Sequence, residues 1–234
     1  METTYQKTAV VQDVRKELDE IGVNTAGFAA GTDNQDLDTI ILHQLGRAIR
    51  FCYENADLSL IEANTVKTTG DMTYLGPDDA GLKNVPQGAD IFVASVNVSA
   101  PASFLRLRYA WASSWSHNVS EPLMWNSSEA AQLKNWYSTG TPDRPVVLLQ
   151  PKQDGSYDVQ MWTVGDGEDV EIALIIPPSS SESSGTTITV DAKIYDAIVM
   201  YCAALTLLTL KDEHADALFN LALTMIGATK QQKE

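Results

Sequence analysis

Apolar residues recur at steps of three and four from Thr8 to Ile21. Val10, Val11, Val14, Leu18 and Ile21 share one side of a helical wheel, so the chain opens with an amphipathic helix that Gly22 ends. Residues 23–34 are small and polar, and Asp33 or Asn34 is placed to cap a second helix whose apolar face is Leu37, Ile40, Ile41, Leu45, Ala48, Ile49 and Cys52. Gly70, Gly76-Pro77-Asp78-Asp79, Gly81 and Pro86-Gln87-Gly88 punctuate the next stretch so densely that it reads as a linker or long loop.

The period then changes to two. Residues 91–98 are rich in branched side chains, and Leu105, Leu107, Tyr109 and Trp111 alternate with Arg106, Arg108 and Ala110, which predicts two strands with Trp111 in their core. A short helix is expected at Ser128–Leu133, capped by Ser127 or Ser128. Val146–Gln150, Tyr157–Val164 and Val170–Ile176, separated by Asp154-Gly155-Ser156 and Gly165-Asp166-Gly167, read as a meander of antiparallel neighbours.

Pro177-Pro178 followed by the serine run to Gly185 is a low-complexity boundary. After a strand at Ile188–Val190 the chain turns helical twice. One apolar stripe is Ile194, Ala197, Ile198, Tyr201, Cys202, Leu205 and Leu208; the next is Ala215, Leu218, Leu221, Ala222, Met225 and Ile226, with a hinge at Lys211-Asp212-Glu213 and Asp212 as a cap. The first stripe is too apolar to stand alone in water, and the helix of Leu37 to Cys52 is its expected partner.

These patterns predict an α+β fold: a helical bundle formed by both chain ends with an inserted antiparallel β-rich, sandwich-like domain. The expected divisions are 1–65, 66–187 and 188–234, with the third part packing on the first. At 234 residues and 44% hydrophobic, the chain is large enough for a core of its own. No run of apolar residues reads as membrane-spanning and no leader peptide is visible, so the expectation is a chain neither exported nor anchored.

A net charge of −15 disfavours lasting contact with nucleic acid, because phosphate contacts come from clustered Lys and Arg. Two cysteines, Cys52 and Cys202, fall on helix faces as buried, reduced thiols rather than a disulfide framework or zinc site. His43, His117 and His214 have no metal-ligand spacing, and Ser116-His117 with Glu121 nearby lacks the strained G-x-S-x-G turn of a nucleophile. Gly165-Asp166-Gly167-Glu168-Asp169 lacks the lysine of a phosphate loop and reads as a hairpin turn, while Asp33 to Asp38 suits a helix N-terminus better than a cation site. Asn97, Asn118 and Asn126 each begin a glycosylation-type triplet, a pattern too short to carry weight alone. No catalytic residue, cofactor site or metal site emerges.

Three segments carry a family resemblance. They are the helix pair ending at Arg47-Ala48-Ile49-Arg50-Phe51, the stretch Phe104-Leu105-Arg106-Leu107 with Gly140-Thr141-Pro142-Asp143-Arg144-Pro145 downstream, and the helical C-terminus from Tyr195-Asp196-Ala197-Ile198-Val199-Met200-Tyr201 through Asp216-Ala217-Leu218-Phe219. In that order of elements the chain resembles the head-to-tail connector proteins of tailed bacteriophages, the adaptor or ring proteins beneath the portal. The resemblance implies a non-enzymatic structural protein of the virion, assembled in the host cytoplasm, that forms a closed ring with copies of itself, commonly a dodecamer. It also implies the portal protein and other tail or ring proteins as partners, passage of duplex DNA without specific binding, no cofactor and no membrane. Trp125 and Trp136 in the irregular stretch, with Arg106, Arg108 and Arg144 of the resembling segments, are the interface candidates. The competing reading is a β-sandwich binding module that recognises a protein or carbohydrate through exposed tryptophans.

Overall fold

The computed structural model describes residues 2–20, 37–62, 65–87, 92–98, 106–154, 156–176, 178, 185–212 and 214–228. In chain order they form β1 (Glu2–Gln6), α1 (Lys7–Glu20), α2 (Leu37–Asn55), β2 (Thr65–Thr68), β3 (Thr73–Leu75), β4 (Phe92–Val98), β5 (Arg106–Ala112), β6 (Leu123–Met124) and α3 (Ser128–Leu133). There follow β7 (Val146–Pro151), β8 (Tyr157–Val164), β9 (Val170–Ile175), β10 (Thr187–Asp191), α4 (Tyr195–Leu210) and α5 (Ala215–Met225). The expected helix end at Gly22, the small polar segment 23–34, the caps Asp33 and Asn34, Phe104-Leu105 and most of the serine run lie outside the described residues. The chain divides into two units, residues 1–62 with 177–234 and residues 63–176.

The expected bundle of chain ends with an inserted sandwich-like domain is corrected. Both ends contribute strand as well as helix, since β1 and β10 pair antiparallel from Glu2 opposite Asp191 to Gln6 opposite Thr187. Glu-Thr-Thr-Tyr-Gln has β-prone residues but no apolar alternation, so its partner strand, not its own pattern, makes it a strand. The middle of the chain holds helix α3 and two sheets, one of which includes the parallel pair β6–β7. The architecture is α+β, with ten strands in three sheets among the described residues and helices at both ends and in the middle.

Helix α4 organises the first unit because little of its surface is polar. Tyr195, Ala197, Ile198, Val199, Tyr201, Cys202, Ala203, Ala204, Thr206 and Leu207 are all buried, which takes burial around the helix rather than along the single expected stripe. Helices α1, α2 and α5 all pack on it. The ring of Phe51 on α2 stacks on Tyr201 at 4.0 Å, and Phe219 on α5 tilts against both at 5.8 and 5.4 Å. Contrary to the sequence reading, residues Ala192–Leu210 are long and apolar enough to cross a membrane by length and composition, with a mean hydropathy of 1.5. Within this unit 61% of that window is buried, as befits the core helix of a folded domain.

Asp191 lies fully buried where β10 runs into the 3-10 turn 192–194. The Tyr53 hydroxyl donates to Asp191 Oδ2 at 3.2 Å and accepts from the Asp191 backbone N–H at 2.9 Å, while the Glu62 N–H reaches the same Oδ2 at 3.3 Å. Burial holds the Tyr53 hydroxyl protonated, far above its ordinary pKa.

In the second unit the strand orders are β3-β4-β8-β7-β6 and β2-β9-β5. The two sheets share a core to which Val96, Val147, Val159 and Met161 contribute from one side and Leu107, Ala110, Ile172 and Leu174 from the other. A second cluster unites Leu82 and the α3 residues Ala130 and Leu133 with Val93, Leu148 and Trp162 of the five-stranded sheet. Ser127 caps α3, its Oγ accepting the Ala130 N–H at 3.1 Å.

Three further expectations are revised. The punctuated stretch from Gly70 is a loop rather than a free linker, anchored by the three-residue β3, which pairs with β4, and by β2 just before it, which pairs with β9. The meander ends after β8: β9 joins the other sheet as its central strand, where the near-continuous apolar run Val-Glu-Ile-Ala-Leu-Ile finds a neighbour on each edge. Trp111 is not core but 36% exposed. The β5–β9 register skips Arg108, and this extra residue reverses which side chains face inward, so Leu107, Ala110 and Ala112 are buried in place of Tyr109 and Trp111.

Replacing Tyr53 with Phe removes the hydroxyl shared by Asp191 Oδ2 and the Asp191 N–H, leaving buried polar groups short of partners. The expected loss is about 2 kcal/mol, read as a lower urea midpoint with an unchanged slope.

Candidate functional site

The five interface candidates are spread over four places in the second unit, with Arg106 and Arg108 sharing one strand. Trp125 follows β6 and is 54% exposed, its N–H held by the Leu149 carbonyl at 3.1 Å. Trp136 is half-buried in the 3-10 turn 136–138, where its N–H donates to the Lys83 carbonyl at 3.0 Å. Arg106 and the bulge residue Arg108 are on β5, both half-buried. Arg144 is exposed in the turn before β7, closed by its N–H to the Thr141 carbonyl at 2.8 Å. Gly140 is required there: its φ is +95°, and a Cβ would meet the Arg144 carbonyl oxygen at 2.8 Å.

Sequence reasoning missed other exposed apolar residues. On the second unit Met124 and Tyr137 are exposed, Tyr137 by 82%. On the first unit Leu42, Leu208, Leu221 and Met225 are exposed. Leu208, Leu221 and Met225 belonged to the expected buried stripes, and the structure corrects that: α5 buries Ala215, Leu218, Ala222 and the following Ile226 while turning Leu221 and Met225 outward. The available signal was the number of apolar residues on α5, more than one packed face can cover.

Concavities line the first unit among the described residues. A groove of about 440 Å³ runs beside α4 and is bordered by Asp13, Lys16, Glu17, Tyr195, Asp196, Val199, Met200 and Met225. Two smaller hollows, about 370 and 380 Å³, share Lys7 and Leu42 and flank α2. In the larger groove the Tyr195 hydroxyl donates to Asp13 Oδ2 at 2.7 Å and Lys16 Nζ donates to Asp13 Oδ1 at 2.9 Å. These donors, Lys16 first and Tyr195 second, hold the Asp13 carboxyl below its usual value. Burial and the Asp13 hydrogen bond push the Tyr195 hydroxyl well above its own.

The acidic turn Gly165 to Asp169 is not a hairpin, because β8 and β9 lie in different sheets. It is a fastening. Glu168 accepts from the Gly165 N–H at 2.6 Å, from the Ser113 and Ser114 hydroxyls at 3.0 Å each and from the Ser114 N–H, while its carbonyl accepts from the Tyr74 hydroxyl at 2.6 Å. Partial burial raises the Glu168 pKa, but the donors of Gly165, Ser114 and Ser113 outweigh it and bring the carboxyl below 4.5.

Ser116 Oγ lies 3.0 Å from His117 Nδ1, within an exposed turn where the hydroxyl also faces the Pro142 carbonyl at 3.4 Å. That contact joins sequence neighbours, and among the described residues no carboxylate accepts a hydrogen bond from His117 to orient it as a base. His43 and His214 are exposed, and His214 Nδ1 pairs with Asp212 at 2.8 Å. Among the described residues no group of three or more His, Cys, Asp and Glu is placed to hold a metal ion. Cys52 and Cys202 are buried, and burial pushes both thiols up to about 12.

No family model matches this chain, and no curated protein matches it either.

Two outcomes follow from these environments. Because the Glu168 pKa is lower folded than unfolded, its contribution is present above the unfolded value and fades as pH falls through the folded one. Glu168→Gln therefore costs about 1 kcal/mol at pH 7, discounted for solvent exposure, and the gap to the parent closes as unfolding is measured at successively lower pH below 4.5. Neither cysteine reacts with a thiol-specific disulfide reagent at pH 8 until the chain is unfolded; rapid labelling of the native protein would contradict the burial.

Proposed function

We propose that this chain is a structural protein that assembles head to tail with copies of itself into a ring, in the manner of the phage connector proteins its sequence resembles. In that role it joins capsid to tail beneath the portal and lets duplex DNA pass. The observation that carries the reading is a separate exposed apolar set on each unit: Leu42, Leu208, Leu221 and Met225 on the first, Met124, Trp125 and Tyr137 on the second. A contact repeated by rotation closes a ring only if each subunit offers two different, complementary faces. At −15 per copy, neighbours repel one another until salt shortens the screening length to about 10 Å or less. An acidic bore would repel the DNA backbone and so let it slide.

The exposure of Trp125 and Tyr137 also favours a second reading, in which the β-rich unit binds a protein or carbohydrate through aromatic faces.

Light scattering separates the two. For the ring, the solution mass exceeds 25.5 kDa by a fixed multiple, rises with added salt and rises again when a portal protein is mixed in. A strict monomer under all three conditions refutes the ring, and ligand binding lost in Trp125→Ala would then support the module.

A further inference from the structure

The groove beside α4 is chemically two-layered. Its floor is Val199 and the ring of Tyr195, both buried, and its walls include Met200 and Met225, unbranched thioethers that adapt to the shape placed against them. Among the described residues its rim carries the carboxylates of Asp13, Glu17 and Asp196 against one ammonium, Lys16, which is engaged with Asp13 at 2.9 Å. Met225 continues the apolar surface onto the outer face of α5, where Leu221, one turn earlier, is exposed as well.

We propose that this groove docks an amphipathic helix of a partner protein, with aliphatic side chains seated between Met200 and Met225 and lysine or arginine at the carboxylate rim. An apolar floor inside a net-negative rim matches a helix that is apolar on one face and basic at its edges. An anionic partner, whether nucleic acid, acidic lipid or the acidic surface of a second copy at −15, meets repulsion at the same rim. A neutral ligand gains nothing from the carboxylates of the rim. Met225 and Leu221 also belong to the apolar set proposed for the ring contact, so docking and self-assembly compete for this face; anisotropy reads the first and light scattering the second.

The probe is a fluorescein-labelled leucine–lysine helix of about 18 residues, five turns long, titrated into the full chain and followed by anisotropy. Saturable single-site binding is expected, weakening as salt rises, with no binding of the matching leucine–glutamate helix. Asp196→Lys weakens binding at least tenfold, whereas Asp79→Lys, the same charge change on the second unit, leaves it within twofold. Met225→Glu also weakens it tenfold, although pure charge attraction would make that variant bind more tightly. Asp196, Asp79 and Met225 are exposed, so circular dichroism of the three variants matches the parent. No saturable binding, equal losses in Asp196→Lys and Asp79→Lys, or tighter binding by Met225→Glu would each overturn the proposal.

Discussion

A helix that is apolar around its circumference can exist in water only if neighbours surround it, and α4 sets that condition for the whole first unit. Fully burying a side chain such as Ile198 or Leu207 stabilises the fold by roughly 1.5–3 kcal/mol, and both are 0% exposed. The neighbours come from both directions in sequence: α1 and α2 precede the β-rich stretch, and α5 follows it. The first unit is therefore discontinuous by necessity, and residues 63–176 fold as a unit between its two parts. The β1–β10 ribbon and the Tyr53–Asp191 hydrogen bonds then fix the register of the two parts, adding direction to an otherwise non-directional apolar association.

Legibility in the sequence followed the size of the periodic signal. Helices α1, α2, α4 and α5 were visible because each repeats its apolar spacing over several turns, and even the short α3 was marked by the cap at Ser127. Strands β1, β2 and β3 were invisible, having three to five residues and little alternation, and they exist because partner strands offer them an edge. The orientation of β5 was misread for a different reason. A bulge inserts one residue without altering composition, so the pattern Leu107, Tyr109, Trp111 looks regular while the backbone has already reversed its faces at Arg108. The outward face of α5 was hidden by its own hydrophobicity, since a list of apolar residues does not reveal how many neighbours arrive to cover them.

A second bulge shows what such a local departure costs and gives. The register of β4 against β8 passes from Val164 directly to Trp162, leaving Thr163 unpaired with a φ of +66°, a left-handed conformation that a β-branched residue adopts only under constraint. Among the described residues its buried hydroxyl and the buried Trp162 indole N–H find no hydrogen-bond partner. In return Val164 faces the shared core that Val159 and Met161 already line, Trp162 fills the cluster beneath α3, and the Thr163 carbonyl accepts the Trp115 indole N–H at 3.2 Å. One strained residue thus places apolar side chains in two clusters and anchors a second aromatic, Trp115, which outweighs a strain of about 1–3 kcal/mol.

Charge and apolar exposure act on each other in this chain. Exposed Leu221, Met225, Trp125 and Tyr137 invite association, and a charge of −15 opposes it at every distance within the screening length. Association is therefore permitted only where the charge is answered, and there are two physical ways to answer it. Salt lowers the repulsion between like copies, so the proposed self-assembly would strengthen as ions are added. A basic partner neutralises the rim directly, so its docking weakens as ions are added. The two proposed modes would place opposite demands on ionic strength while drawing on the same kind of apolar contact, so salt dependence is the property that tells them apart.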